Sequence, residues 1–264
     1  MSSYFERIDD HRYRPTADAG GAWKESEIHF SPLGGLIVHA IDRYRSARDE
    51  PTDLVLSRIS FDILGFLDAD VCDVHVETIR PGRTIELIEA TVTIRGRRTV
   101  LARAWYAMTG DTSAVAGGAE GAPTPPGPEH RRTMTDTWPG GYVASLEMRA
   151  EEAPRPGRAT AWLRTDRELV AGELASPDAA YIALVDTANG VAVRRPPQEW
   201  MFPNLDLTIH LFRRPAGPWV GLDTTVVFGP AGQGLTSTSL LDENGAVGRA
   251  EQTLTVRPLH ERTP

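Results

Sequence analysis

Asp186 is the residue of this sequence that could most readily do chemistry, because it interrupts the middle of an apolar stretch. Residues 175–193 have the pattern of a helix that is hydrophobic on nearly every side, and such a helix is normally buried. Burial raises the pKa of a carboxyl group and hydrogen bonds to its ionised form lower it, so a carboxylate balanced between them can act as a general base. The alternative is a structural carboxylate bonded to backbone or serine. On a helical wheel Asp186 shares its stripe with Ala179, Ile182 and Ala183.

Gln252 is the second candidate, because it is the polar exception on one face of the last predicted strand. That face is otherwise made of small and apolar residues, namely Gly248, Ala250, Leu254 and Val256. A buried amide must find partners, and it can bond a carboxylate and a water at once because it carries both a donor and an acceptor. A packing-face glutamine satisfied by the backbone explains the pattern equally well.

The weaker candidates are Asn204 and three residues that could contact a substrate. Asn204 precedes a predicted strand, residues 205–213, and its alternative role is that of a turn or strand-start asparagine. Thr187 lies on the apolar stretch and is predicted to contact the substrate. Gly34 and Gly35 open the first predicted helix, where the missing side chains would let a ligand or another backbone approach. Close packing is the alternative for both glycines.

Two serine–proline pairs open the elements that would position these residues. Serine as N-cap followed by proline at the first helical position is a helix start, and it occurs at Ser31-Pro32 and at Ser176-Pro177. The pairs lie 176 − 31 = 145 residues apart, and four strand-like segments follow each one. This order predicts a tandem duplication in which a long helix is wrapped by a curved antiparallel sheet, an α+β architecture. The segments cover residues 54–64, 70–79, 84–94 and 99–108, and then 205–213, 219–228, 234–241 and 247–257.

The boundary between the two units is predicted from the composition of residues 111–137. These residues are dense in Gly, Pro, Ala and Thr and have no apolar period, which is typical of a flexible linker. We therefore predict an N-terminal unit over residues 1–110, a linker over residues 111–137, and a C-terminal unit over residues 138–264 that carries the candidate site.

Comparison of the two predicted units favours one site per chain. At an offset of 145 residues Asp186 corresponds to Ile41 and Gln252 to Ala107. A set of polar residues that served only folding should be needed in both copies, so its presence in one copy indicates function. A slip of one residue would align Asp186 with Asp42 instead, and the absent glutamine is therefore the firmer difference.

Composition excludes several classes of function. The 264 residues carry a formal net charge of −8, which leaves no electrostatic footprint for nucleic acid. A single cysteine, Cys72, excludes an internal disulfide and suits a reducing compartment. No apolar run approaches the roughly 18 residues that cross a bilayer, and the N-terminus is too charged for a signal peptide. The seven histidines show no metal-ligand spacing. We therefore predict a cytoplasmic protein without a metal or a membrane partner.

The chain resembles the acyl-CoA thioesterase II family and its thioesterase-like actinobacterial relatives, which have a double-hotdog fold. In the second half the resemblance lies in YIALVDTANGVAV and in FPNLDLTIHLFRR with the strands that follow. In the first half it lies in SPLGGLIVHAIDR and in IRPGRTIELIEATVTIRGRRTVLARAWYAM. An aspartate on the second helix, a serine or threonine before the next strand and a glutamine on the last strand hold the attacking water in that family. The resemblance assigns these roles to Asp186, Asn204 and Gln252. Asn204 departs from the hydroxyl residue, although an amide can also bond a water.

The resemblance implies an acyl-CoA thioesterase of fatty-acid and lipid metabolism that releases a free acid and CoA. It implies an acyl-CoA substrate, no cofactor apart from the CoA of that substrate, and a homo-oligomer, either a dimer or a larger assembly. Two alternatives remain. One is a hotdog enoyl-CoA hydratase or dehydratase, which normally uses an aspartate–histidine pair, and the second predicted helix contains no histidine. The other is a protein that binds acyl-CoA or another apolar ligand without turning it over.

Overall fold

The computed structural model of the chain describes residues 2–24, 26–48, 53–119, 121 and 123–259. Within these residues the helices are α1 Phe30–Ser46, α2 Gly141–Ala144, α3 Pro177–Val185 and α4 Ala188–Val191. The strands are β1 Ser3–Arg7, β2 Arg12–Pro15, β3 Leu54–Ile63, β4 Cys72–Arg80, β5 Ile85–Ile94, β6 Arg97–Met108, β7 Arg131–Arg132, β8 Leu146–Arg149, β9 Arg158–Thr165, β10 Glu168–Val170, β11 Trp200–Met201, β12 Asp206–Leu211, β13 Val220–Phe228, β14 Gln233–Asp242, β15 Gly245–Thr255 and β16 Arg257–Pro258. None of these helices is long and apolar enough to cross a membrane.

Fourteen of the described strands form one sheet, in which the two halves of the chain meet at the β3–β12 pair. The strand order is β10-β1-β2-β4-β5-β6-β3-β12-β15-β14-β13-β9-β8-β7, and β11 pairs separately with β16. Neighbouring strands are antiparallel except for β1 and β10. The halves are joined through a continuous antiparallel ladder in which Thr208 lies opposite Ser60. The predicted α+β architecture, in which helices accompany a large antiparallel sheet, is therefore confirmed.

The helices α1 and α3 pack against each other, and Gly35 lies where they come closest. A Cβ atom built on Gly35 would lie 2.5 Å from the Cβ atom of Ala183 and 2.9 Å from the carbonyl oxygen of Ala179. Only glycine lets the two backbones approach to this distance. A Cβ atom on Gly34 would meet its nearest neighbours at 3.6 Å or more. The close-packing interpretation therefore explains Gly35.

The predicted start of the first helix is wrong. Ser31 does not cap α1, because the helix already begins at Phe30 and its N-cap is His29, whose side chain accepts from the backbone N–H of Ser31. At the second helix Ser176 is the N-cap, as predicted, and its hydroxyl accepts from the backbone N–H of Ala179. The two serine–proline pairs are therefore not equivalent positions in the two units.

The sheet sets the repeat at 148 residues instead of 145. Strand β4 begins at Cys72 and β13 at Val220, and 220 − 72 = 148. The same offset relates the irregularity of the β5–β6 ladder at Val92 to that of the β14–β15 ladder at Leu240, since 240 − 92 = 148. Gln252 therefore corresponds to Ala104, and the earlier pairing with Ala107 is corrected.

The helix starts revise the counterpart of Asp186 as well. Helix α1 begins at residue 30 and α3 at residue 177, an offset of 177 − 30 = 147 residues. At this offset Asp186 corresponds to His39 and not to Ile41. The revised alignment still leaves the first unit without a carboxylate or an amide at these two positions, because His39 and Ala104 occupy them. One site per chain remains a prediction.

The predicted continuous helix over residues 175–193 is interrupted beside its carboxylate. Helix α3 ends at Val185, Asp186 and Thr187 form a turn, and α4 begins at Ala188. Within the turn the N–H of Thr187 bonds the carbonyl oxygen of Leu184, three residues back, a tightening that is common at helix ends. Asp186 is thus the C-cap of α3 and does not lie in the middle of a helix.

The predicted linker contains some regular structure in its described residues. Short 3-10 turns cover Ser113–Val115 and Pro128–His130, and Arg131–Arg132 forms the edge strand β7 beside β8. The division of the chain into units at residues 110 and 138 stays a prediction.

Candidate active site

Three polar side chains from three different elements meet at Asp186. The carboxylate is buried at the C-terminal end of α3. Its Oδ1 atom accepts two hydrogen bonds of 2.8 Å each, one from Nδ2 of Asn204 and one from Nε2 of Gln252. The structure thus brings together the three residues that the sequence singled out, which lie up to 66 residues apart in the chain.

The β12–β15 pairing positions both amides. Gln252 lies on the buried face of β15, between Ala250 and Leu254, as the alternation predicted. Asn204 comes just before β12 and pairs with Leu254 across the ladder. The Nδ2 atom of Asn204 also donates to the carbonyl oxygen of Asp206 at 3.1 Å, and this second bond fixes the amide toward Asp186.

The environment of Asp186 suits a base that works near neutral pH. Burial raises the pKa of its carboxyl group to about 6, while the bonds from Asn204 and Gln252 stabilise the ionised form and limit the rise. The C-terminal end of a helix disfavours negative charge as well, which acts in the same direction as burial. The Oδ2 atom accepts no hydrogen bond from the described residues. Asp186 therefore combines a fixed oxygen with a second oxygen that is free to bind a proton donor.

Asp186 and Asn204 lie in the wall of two adjoining cavities. One is an open groove of about 490 Å³, and we call it the groove. The other is a small pocket of about 40 Å³, which is large enough to hold water. The pocket is walled by Trp23, Met134, Trp138 and Val143. The groove has mostly apolar walls, made by Trp23, Ile28, Phe30, Ile63, Leu64, Phe66, Leu67, Met201, Pro203 and Leu205.

His29 is the residue of this site that the sequence did not reveal. Its ring packs against Tyr142, with centroids 4.2 Å apart, and its Nδ1 atom lies 3.9 Å from Oδ2 of Asp186. Burial lowers the pKa of the imidazole to about 3, so the ring is neutral and the contact is not an ion pair. The one sequence signal for it is its place directly before α1, two residues ahead of Ser31, which the serine–proline pattern had predicted as the N-cap.

Of the three residues predicted to contact a substrate, Thr187 lines a cavity at Asp186 and the two glycines do not. Thr187 is buried, lines the small pocket, and shares a hydrogen bond of 2.6 Å with the hydroxyl of Tyr142. Gly34 and Gly35 line neither the groove nor the small pocket. Substrate contact by Thr187 and by the two glycines stays a prediction, and the geometry favours it for Thr187 alone.

The first unit has a carboxylate at the corresponding end of the helix pair. Oδ2 of Asp42, on α1, accepts a 2.6 Å bond from the hydroxyl of Ser176 at the start of α3. No amide side chain bonds Asp42 in the described chain, so the arrangement at Asp186 is not repeated there. Among the described residues no group of three histidine, cysteine, aspartate or glutamate side chains could hold a metal ion.

Comparison with known proteins adds a family match that spans both halves of the chain. The model described as the acyl-CoA thioesterase C-terminal domain matches residues 119–256. The model described as the acyl-CoA thioesterase N-terminal domain matches residues 20–107. No curated protein sequence matches the chain significantly.

Several solved structures share the fold over nearly the full length. The acyl-CoA thioesterase II TesB2 of Mycobacterium marinum is 15% identical, with a TM-score of 0.68 over 98% of this chain and 97% of that one. The tesB protein of Mycobacterium avium subs paratuberculosis is 16% identical, with a TM-score of 0.68 over 96% of each chain. A conserved protein with a hot dog fold from Alicyclobacillus acidocaldarius is 12% identical, with a TM-score of 0.71 over 95% of each chain. The double-hotdog fold is thereby confirmed.

Proposed function

Because the chain belongs to the acyl-CoA thioesterase family and is a thioester hydrolase, we propose that Asp186 activates the water that cleaves its thioester substrate. The observation that carries the proposal is that the two oxygens of this buried carboxylate differ in their hydrogen bonding. Oδ1 is held by Asn204 and Gln252. Oδ2 accepts no hydrogen bond from the described residues, and the Asp186 side chain lines the groove.

The proposed reaction needs only water and the thioester. Water bound at Oδ2 of Asp186 gives a proton to the carboxylate as its oxygen attacks the carbonyl carbon. The tetrahedral intermediate then collapses, the carbon–sulfur bond breaks, and the proton passes from Asp186 to the CoA sulfur. Free acid and thiol leave, and Asp186 is again ionised. General base action of this kind contributes about 10²–10⁴-fold to a rate.

We place the acyl-CoA in the groove, because the groove adjoins Asp186 and is lined mainly by apolar side chains. Leu64, Phe66 and Leu205 are exposed in its wall, and clustered exposed apolar residues are typical of a ligand site. Lys24 and Arg257 also line the groove and could pair with CoA phosphates. A panel of acyl-CoA esters from acetyl to palmitoyl, assayed by release of free thiol, tests the proposed function. A protein that cleaves none of these esters would contradict the proposed function.

The activity should depend on pH through Asp186. The base must be ionised, and burial raises its pKa to about 6. We therefore expect kcat/KM to fall about tenfold for each pH unit below about 6 and to level off above it. His29 adds no step in that range, because its pKa is lowered to about 3. Rates measured between about pH 5 and about pH 8 check this, and a flat profile would exclude Asp186 as the base.

Replacing Gln252 with leucine should shift that profile toward higher pH. The substitution removes one of the two hydrogen bonds that stabilise ionised Asp186. A bond to a charged group contributes about 1.5–3 kcal/mol, so the apparent pKa of the profile should rise by roughly 1–2. The matched control is Gln233→Leu, at the exposed start of β14, which should leave the profile unchanged. An unshifted profile in Gln252→Leu would show that the amide does not act on the base.

The substitution Asn204→Thr tests the departure from the hydroxyl residue of the resembled family. Threonine keeps a donor near Asp186, whereas Asn204→Leu keeps none. We expect Asn204→Thr to stay within about tenfold of the wild-type kcat and Asn204→Leu to lose about 10²-fold, because only the latter leaves the carboxylate short of a partner. Equal losses in the two variants would contradict a donor role for Asn204.

The hydratase alternative gains one observation, since His29 lies beside Asp186. Its chemistry requires a histidine that can accept a proton from the substrate. The Nδ1 atom of His29 already accepts from the backbone N–H of Ser31, so the neutral ring carries its hydrogen on Nε2 and has no free acceptor. We therefore expect no hydration of an enoyl-CoA. For the ligand-binding alternative, thermal stabilisation by acyl-CoA without release of thiol is the diagnostic result.

We also propose that the enzyme works in the cytoplasm on fatty-acyl thioesters and assembles as a homo-oligomer. The proposal rests on the lone cysteine and on the resemblance described above. Molar mass in solution, measured by light scattering, tests the assembly, and a monomer of 28.9 kDa would contradict it.

A further inference from the structure

The two ring nitrogens of His29 differ, because one makes a hydrogen bond within the protein and the other makes none with the described residues. The Nδ1 atom accepts the backbone N–H of Ser31 at 3.1 Å and so caps α1. A nitrogen that accepts an N–H carries no hydrogen, which places the hydrogen of the neutral ring on Nε2. Burial keeps the ring neutral, since it lowers the pKa of the imidazole to about 3. His29 is therefore a fixed N–H donor over the working range of pH.

This donor has no acceptor in the protein. Among the residues that the structure describes, Nε2 of His29 makes no hydrogen bond, although the side chain is only 14% exposed. His29 lines both the groove and the small pocket, as Asp186 and Asn204 do. Nε2 is not among the fully buried polar atoms that lack a partner, so its N–H reaches the open space that His29 lines and is available to an acceptor there. The unused N–H thus points to an acceptor on a molecule bound at Asp186.

The ring is also held rigidly. It packs on Tyr142 with an interplanar angle of 32°, and Tyr142 is itself fixed by hydrogen bonds to Thr187 and to the carbonyl oxygen of Ala183. Donors that are positioned before the reaction are the ones that stabilise developing charge most effectively. A neutral imidazole is able to polarise a carbonyl in this way.

We propose that the Nε2–H of His29 donates to the carbonyl oxygen of the thioester and stabilises the oxyanion that forms when water attacks. The inference rests on the proposed function and assigns a second catalytic residue to the same site. In this arrangement water at Oδ2 of Asp186 lies between the base and the carbonyl carbon. The imidazole ring lies beside that oxygen, with Nδ1 3.9 Å from Oδ2, and the proposal places the carbonyl oxygen at Nε2, the other nitrogen of the same ring. His29 gives up no proton, because the proton of the water passes to Asp186 and then to the leaving sulfur.

Two substitutions separate this role from the capping role. In His29→Asn the side-chain oxygen can replace Nδ1 as the cap, since asparagine is among the best N-caps, but nothing replaces the Nε2–H. In His29→Gln the longer amide can place an N–H near the position of Nε2 while the cap is lost. We expect His29→Asn to keep a wild-type Tm and to lose about 10²–10³-fold in kcat. We expect His29→Gln to have a lower Tm and to regain at least about tenfold in kcat over His29→Asn.

His75→Asn, on an exposed position of β4, is the control and should leave kcat and Tm unchanged. Wild-type kcat in His29→Asn would overturn the proposal. So would a folded His29→Gln that is no more active than His29→Asn, because a role limited to structure would track Tm and not the donor.

Two readouts do not depend on turnover. Nitrogen NMR of the free protein should show His29 with its hydrogen on Nε2 from about pH 5 to about pH 8, and the opposite tautomer would overturn the proposal. In the Asp186→Asn background, the infrared carbonyl band of labelled acetyl-CoA should move to lower frequency on binding, and His29→Asn should abolish that movement. An inactive wild-type enzyme would contradict the proposed function, whereas an active enzyme with an unperturbed carbonyl band would contradict the role of His29 alone.

Discussion

Asp186→Asn is expected to lose about 10²–10⁴-fold in kcat and, at neutral pH, to be more stable than the wild-type protein. The asparagine oxygen can still accept the bonds from Asn204 and Gln252 that Oδ1 accepts now. The substitution therefore removes the charge and the proton-accepting oxygen while leaving the local packing in place. Thiol release with the best acyl-CoA substrate measures the loss, and unchanged turnover would eliminate Asp186 as the base.

The gain in stability follows from the raised pKa of Asp186. Folding moves this pKa from 3.8 to about 6, so the folded state favours the protonated carboxyl. That contribution is fully present below about pH 3.8 and is lost as the pH rises through about 6. At neutral pH the ionised carboxylate costs the fold ~3 kcal/mol, and asparagine avoids this cost.

Denaturant titrations at two pH values test the sign of this effect. Asp186→Asn should unfold at a higher denaturant concentration than the wild-type protein at about pH 7.5, and the difference should shrink toward zero near about pH 4. The control is Asp136→Asn, at an exposed position, which should be neutral at both. A variant that is less stable than wild type at neutral pH would show that the charge is needed by the fold, which is the structural alternative for this carboxylate.

Gly35→Val is expected to destabilise the protein by ~3 kcal/mol or more, or to prevent folding, because the added side chain overpacks the crossing of α1 and α3. Its Cβ atom would lie 2.5 Å from the Cβ atom of Ala183, 3.0 Å from the Cα atom of Ala183 and 2.9 Å from the carbonyl oxygen of Ala179. Two of these three atoms belong to the backbone of α3, which can move only by separating the helices. Thermal unfolding followed by circular dichroism provides the measurement.

Gly34→Ala is the matched control one residue earlier on the same helix. Its Cβ atom would meet side-chain atoms of Phe30, Ile182 and Phe61 at 3.6–3.9 Å, which are ordinary contacts, and alanine favours the helix by about 1 kcal/mol over glycine. Gly34→Ala should therefore be neutral or stabilising. A Gly35→Val protein with a wild-type Tm and a raised KM would instead support the substrate-binding interpretation of the glycines.

Local patterns in the sequence were sufficient to find most of the elements and the three polar residues. The alternation of β15 placed Gln252 on the buried face, and Ser176 was identified as an N-cap from its neighbours alone. These predictions succeeded because a strand period or a cap depends on residues within a few positions of each other. Asp186 stood out for a similar reason, since a lone carboxylate in an apolar stretch predicts burial wherever the stretch packs.

The remaining features depended on contacts between distant residues. Whether the apolar run ended at Val185 or continued could not be read from hydrophobicity, because α3 and α4 are both buried. The repeat of 148 residues became visible only when the ladders of the sheet aligned the two units.

His29 is the clearest case of a residue whose role only the tertiary structure decides. In the sequence it is one of seven histidines, 157 residues before Asp186 (186 − 29 = 157). Its ring reaches the carboxylate because α1 and α3 cross at Gly35, and its hydrogen is on Nε2 because the start of α1 uses Nδ1. By itself the sequence determined the α+β fold class through local periodicity, and it singled out Asp186, Asn204 and Gln252, to which the resemblance assigned their expected roles. The tertiary structure decided that the ring of His29 lies beside Asp186, because helix packing sets the distances between residues far apart in the chain.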